Sequence, residues 1–230
     1  MNEEKSEKGR MDSIHPHSNH RFIMAFDIGI KNFAVACIEV VSETNWMLRF
    51  VNNTNLDEYA ETVLGSMKET GPPSSSSSQQ QASVRGGLVM QQKSGVSWAV
   101  YRALILHLES TLKPLLVEYR PIILIEQQMS SKHKSNIKAL RLSQHLLAYF
   151  LNRYPSLRVV EFSSKHKTRC HSGEKMTYSQ RKKWAVEKVL LKLEEQGDEV
   201  GKEWILQWKK QDDVADCVLM CLVYAGINFV

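Results

Sequence analysis

The sequence contains no apolar run approaching the roughly 20 residues that cross a bilayer, which excludes a helical membrane span. Its first twenty residues, Met1 to His20, are polar and lack the apolar stretch of a secretory signal. Glu3, Glu4 and Glu7 among the lysines speak against a mitochondrial transit peptide, so residues 1–20 read as a frayed tail. Cysteine is scarce. Cys37, Cys170, Cys217 and Cys221 show no framework spacing, which excludes a disulfide scaffold and points to a reducing, intracellular location. No CxxC pair accompanies His166, Cys170 and His171, so a closed four-ligand zinc site is not indicated.

What is present is an ordinary apolar fraction, 43% of 230 residues, enough for one domain with a sizeable core. That domain is expected to span 21–230, interrupted by an insertion at about 70–96. There Gly71-Pro72-Pro73 opens a run of five serines and three glutamines that has no apolar surface to bury. Net charge is +5 but uneven. Between Gln127 and Lys183 stand thirteen Lys/Arg and two acids, Glu161 and Glu174, which leaves the remainder of the chain acidic. Such asymmetry fits a face that binds a polyanion, or a solvated basic surface.

Hydrophobic patterning gives the order of elements. Phe22–Phe26, Phe33–Val41 and Trp46–Val51 read as three strands separated by short gaps, an antiparallel meander. Residues 52–70 are polar and poorly periodic. Ser97 is placed to cap a helix over 98–119, with Val100, Leu104, Leu108, Leu112 and Leu115 as its apolar face and Pro114 as a kink or stop. Ile122–Ile125 reads as a buried parallel strand ending in Glu126. A helix over 135–153 follows, with Ile137, Leu140, Leu147 and Leu151 on one stripe, then a strand over 157–162 and a basic loop over 163–176. Thr177 and Gln180 have the spacing of a capping box opening a helix with Val186, Val189, Leu190 and Leu193, which Gly197 closes. Residues 198–211 form a mixed connection. The last helix, 212–225, turns Val214, Cys217, Val218, Cys221 and Leu222 inward. The fold expected is α/β: a mixed five-stranded sheet, made of the three-strand meander plus two parallel strands, flanked by helices.

Acids occur at strand ends and at the start of the last helix. Asp27 closes the first strand, just before Gly29, a residue suited to a tight turn. Glu126 closes the fourth strand, and at the start of the last helix Asp213 and Asp216 (i, i+3), or equally Asp212 and Asp216 (i, i+4), share one side. Each alone has an ordinary explanation, as a turn residue, a solvated strand end or a helix-dipole partner. Converging, four carboxylates repel unless divalent cations neutralise them. Mg²⁺ and Mn²⁺ prefer such oxygen ligands, and two of them about 4 Å apart can hydrolyse a phosphodiester.

Four segments carry a family resemblance: Phe26-Asp27-Ile28-Gly29-Ile30-Lys31-Asn32; Ile125-Glu126-Gln127-Gln128 before a basic helix with Leu140 and Gln144; Arg181-Lys182-Lys183 before Val186-Glu187; and Asp212-Asp213-Val214-Ala215-Asp216. Together they resemble a Holliday junction resolvase of the RuvC-like group within the RNase H fold, and most closely the poxvirus resolvases. The resemblance implies Asp27, Glu126, Asp213 and Asp216 as ligands of two Mg²⁺ ions, with Mn²⁺ able to substitute. It implies a catalytic or phosphate-binding lysine at Lys182 or Lys183, and Asp212 as the helix cap. Lys31, Lys132, Lys134, Lys138, Arg141, Lys165, Lys167, Arg169 and Arg181 would then grip DNA phosphates without reading sequence. Two departures stand out. Met129 occupies the place where bacterial relatives stack an aromatic ring, and the serine/glutamine insertion has no counterpart.

The activity implied is metal-dependent cleavage of four-way DNA junctions by a homodimer, since symmetric cuts need two sites, and a viral origin follows from which relatives look closest. Two other readings keep the fold: a nuclease acting on RNA or RNA–DNA hybrids, and a protein that binds branched nucleic acid without cutting it. An actin-like ATPase would repeat the Asp-x-Gly hairpin in a second half, and the chain is too short for that.

Overall fold

A computed structural model describes residues 20–69, 95–128, 136–169 and 176–227. Strands β1 (Arg21–Asp27), β2 (Phe33–Val40) and β3 (Trp46–Thr54) form the meander, β1 and β3 each pairing antiparallel with β2. Strand β4 (Ile122–Glu126) lies parallel to β1, and β5 (Val159–Phe162) parallel to β4. The sheet order is β3-β2-β1-β4-β5, the mixed five-stranded sheet that the sequence predicts. Of the insertion, 70–94 lie outside the described residues, and Val96 at its end is packed into the core.

Both faces of the sheet are covered, as the apolar run of β2, buried at every position, requires. Successive side chains of a strand point to opposite faces. Ile23 and Ala25 meet the helices α6 (Tyr178–Glu195), α7 (Glu199–Leu206) and α8 (Gln211–Ala225). Met24 and Phe26 face α2 (Trp98–His107) and α4 (Ile137–Arg153), with α1 (Leu56–Glu69) beside them. The alternation decides where the acids go. Asp27 continues the Ile23–Ala25 series and Glu126 the Ile122–Leu124 series, so both belong to the α8 face.

Several helix starts follow the sequence. Ser97 accepts the Val100 amide, and Thr177 and Gln180 form the full capping box of α6. Gly197 closes α6 at φ +68°, a left-handed turn that favours glycine.

The differences have local causes. The 98–119 helix does not end at Pro114. It widens into a π segment, Leu108–Leu112, and resumes as α3 (Lys113–Tyr119), with Leu116 rather than Leu115 buried. A spacing of four overshoots the 3.6-residue turn by about 40° at each step. The wide turn absorbs that drift, keeps Leu108, Leu112 and Leu116 inward, and spares Pro114 the bond its missing N–H cannot make. In α4 the buried stripe is Ala139, Leu142, Leu146 and Phe150, whereas Ile137 and Leu151 are exposed. Two stripes of the same period run along this leucine-rich helix, and the larger Phe150 selects the face. Three helices fall where no regular element was expected: α1, α5 (Lys165–Arg169) and α7. Among the described residues no helix is long and apolar enough to cross a membrane.

Glu39 on β2 is a buried charge on the sheet, held by Arg49 of β3 and by His20 ahead of β1. Burial alone would raise its carboxyl, but the hydrogen bonds from Arg49 and His20 outweigh this and hold it below the ordinary range.

Candidate active site

At the C-terminal ends of β1 and β4 the chain leaves a pocket of about 490 Å³. Asp27, Glu126, Asp213 and Asp216 all line it, together with the cations Lys167, Arg181 and Lys182. Asp27 and Glu126 arrive from neighbouring strands, one register step beyond the Phe26–Ile125 pair. Asp213 and Asp216 come from the first turns of α8, which lies across β1 and β2. Leu219, Trp184 and Ala185 give the pocket an apolar wall.

The turn after Asp27 is fixed by Gly29. A Cβ there would stand 2.7 Å from the carbonyl oxygen of Asn32, so the tight hairpin admits only glycine without a shift. Leu56 also anchors the turn by donating its amide to the carbonyl of Ile30 at 2.8 Å.

The carboxylates bear on one another. Burial and then the neighbouring Glu126 push the Asp27 carboxyl well above the usual range, against the pull of Lys167. Burial and then Asp212 push Asp213 to about 6. Asp216 is also raised by burial, despite Lys167. One oxygen of Asp213, Oδ2, is buried without a hydrogen-bond partner. Acids driven together at this cost, with an orphaned oxygen among them, have the donor chemistry of a hard divalent cation. Among the described residues, however, no three such side chains are gathered around one point. A lysine stands between them instead.

That lysine is Lys167 of α5. Its Nζ lies 2.9 Å from Glu126 Oε1 and 3.1 Å from Asp216 Oδ2, with the side chain 9% exposed. Burial would lower its pKa, but Asp216, Glu126 and Asp27 hold it above the ordinary value, so it stays charged. The lysine expected to grip phosphate at 167 is buried here and paired with Glu126 and Asp216.

Lys182 and Lys183, left open by the sequence, part company. Lys182 lines the pocket, pairs with Asp212 and lies 3.7 Å from Asp213. Lys183 is 81% exposed and pairs with Glu187 on the outer side of α6. Asp212 is not the cap of the last helix. The capping position is Lys210, without a side-chain bond, and Asp212 serves as the partner of Lys182.

Arg181 and Lys165 are exposed at the pocket rim. Lys31 is exposed in the β1–β2 turn, and Lys138 and Arg141 on the outer face of α4, none of them lining the pocket. Lys132, Lys134 and Met129 lie outside the described residues, as does the Arg169 side chain. Sequence reasoning missed Tyr178, whose ring at the rim has Lys182 Nζ 5.2 Å from its centroid, and Ser164 in the pocket wall. Its place just after the Thr177 cap, beside Arg181 and Lys182, was the available signal for Tyr178.

No family model matches the chain. It is 32% identical over 214 residues to uncharacterized protein 97L of invertebrate iridescent virus 3, covering 88% of this chain and 98% of that protein. It is 28% identical to uncharacterized protein 170L of invertebrate iridescent virus 6, covering 88% of each. Among solved structures, the yeast mitochondrial Holliday junction resolvase Ydc2 overlays 88% of this chain and 78% of its own at a TM-score of 0.51 and 15% identity. RuvC of T. thermophilus in complex with a Holliday junction substrate overlays 90% of this chain and 95% of its own at a TM-score of 0.49 and 10% identity.

Proposed function

The chain belongs to the family of iridescent virus protein 97L and has the RuvC-like RNase H fold, and from that premise we propose that it is a metal-dependent endonuclease of four-way DNA junctions. In a virus of that kind it would act inside the host cell. One observation supports the reading above the others: Asp27, Glu126, Asp213 and Asp216, from three separate parts of the chain, line the same pocket beside cations. A module that only bound DNA would gain nothing from concentrating carboxylates where a phosphate must come.

Asp27, Glu126, Asp213 and Asp216 would hold the ions, for which their crowding and the unpartnered Asp213 Oδ2 fit them. When bound, Mg²⁺ or Mn²⁺ supplies the Lewis acidity that phosphodiester hydrolysis requires. Arg181 and Lys165 at the rim orient a phosphate by charge, and Lys182, kept in place by Asp212, presents its ammonium to the phosphate from within. Leu219 and Trp184 exclude bulk water on one side, which strengthens each of these interactions. Lys31, Lys138 and Arg141 extend a phosphate-binding surface beyond the pocket, and a homodimer would set two such pockets against opposite strands of the junction. Incubating the protein with a synthetic four-way junction, a linear duplex and an RNA–DNA hybrid, with and without Mg²⁺, tests the reading and separates it from the hybrid-nuclease alternative.

A further inference from the structure

The ion pairs of Lys167 set a conflict inside the site. Its ammonium engages one oxygen of Glu126 at 2.9 Å and one of Asp216 at 3.1 Å. A divalent ion ligated by these residues sits about 2.1 Å from each donor oxygen, where it would compete for the same lone pairs and repel the ammonium beside it. We propose that Lys167 is a built-in placeholder cation, which holds the carboxylates together before metal arrives and must leave Glu126 and Asp216 for metal to bind. This rests on the metal-site reading above and says how that site is regulated.

Three features support it. Lys167 draws on acids from β4 and α8, so it ties the two walls of the pocket together as a bridging ion would. Those acids need a positive charge to stay close, and among the described residues no ready-made group of three ligands exists while the lysine is in place. The stem of Lys167 springs from α5, a helix of five residues, and its four methylenes can swing the ammonium aside without moving the sheet. Ser164, Lys165 and Tyr178 line the same pocket, so a displaced Lys167 ammonium would stay within reach of an incoming phosphate. Metal loading and phosphate binding would thereby be coupled through one side chain.

The test is Mn²⁺ binding by calorimetry to wild type, Lys167→Met and Asp27→Asn, with amine-selective labelling of wild-type Lys167 read by mass spectrometry. Lys167→Met should bind Mn²⁺ about tenfold more tightly than wild type, the reciprocal of the competition, and should melt at lower temperature without metal. In wild type, Lys167 should label slowly in chelator and several-fold faster once Mn²⁺ saturates. Mn²⁺ binding to Lys167→Met with unchanged or lower affinity would overturn the placeholder role while leaving the metal site standing. Should the variant not fold, labelling of Lys167 that stays slow at saturating Mn²⁺ overturns it in the wild-type protein. Wild type that binds no Mn²⁺, or Asp27→Asn that binds as well as wild type, sinks the metal-site reading itself.

Discussion

Asp27 and Glu126 stand at the ends of two hydrogen-bonded parallel strands, each one residue beyond the Phe26–Ile125 pair, and both line the same pocket. Burial and this proximity both disfavour charge on Asp27. The metal-free fold is therefore strained by the acids on which the proposed function depends. Asp27→Asn should relieve part of that strain and raise the melting temperature in chelator by about 2–4 °C, equivalent to about 1 kcal/mol in a chain of this size. Thermal melts of both proteins in chelator check this, and an equal or lower value for the variant would count against it.

The two adjacent lysines of α6 should differ sharply. Lys182→Ala removes a cation from the pocket and leaves Asp212 unpaired, and should lower junction cleavage by about 10²-fold, in the range of removing one charge-stabilising group. Lys183→Ala loses only a surface pair with Glu187 and should stay within about 3-fold of wild type, because exposed pairs contribute little. Single-turnover rates at saturating protein distinguish the outcomes, and reversed ranks would move the functional lysine to 183.

Gly29→Ala places a methyl group 2.7 Å from the Asn32 carbonyl oxygen and must open the hairpin that follows Asp27. A shift of about 1 Å at a reacting centre can cost about 10²-fold in rate. Cleavage should fall by that order, while the melting temperature drops only a few degrees because the β1–β2 ladder itself is intact. A variant with wild-type activity would mean that the turn does not set the position of Asp27.

Glu39 gives the acid limb of stability. Its carboxyl is held below the ordinary value by Arg49 and His20, so its contribution is present above about pH 4.5 and is lost as pH falls through its lowered folded value. Glu39→Gln should cost about 1–2 kcal/mol at pH 7, discounted because Arg49 is partly exposed, and flatten the acid limb. Urea denaturation at pH 7 and at pH 4 measures both effects, and equal slopes in the two proteins would assign the acid limb to other groups.

Much of this architecture was legible in the residues. Apolar runs ending in Asp27 and Glu126 fixed two strands, and period-two alternation turned both acids toward α8. Thr177, Gln180 and Gly197 marked both ends of α6 because caps are local chemistry. Short or exposed helices were not legible. The five residues of α5 are too few to show a period, and of α7 only Gly201 and Ile205 are buried. The burial of Lys167 could not be read either. It depends on acids 41 and 49 residues away meeting one ammonium, and nothing in the local sequence separates that lysine from its exposed neighbour Lys165.

The acids at the ends of β1 and β4 and the start of α8 are proposed to form a nuclease site for branched DNA. The most direct measurement is cleavage of an end-labelled four-way junction by wild type and Asp27→Asn, with Mg²⁺ and with chelator, read at nucleotide resolution. Wild type should place paired nicks symmetrically across the junction with Mg²⁺ only, and Asp27→Asn should lose at least about 10³-fold in rate with junction binding retained. Cleavage by Asp27→Asn at the wild-type rate, or cutting by wild type that is indifferent to Mg²⁺ or to the branch point, would contradict it.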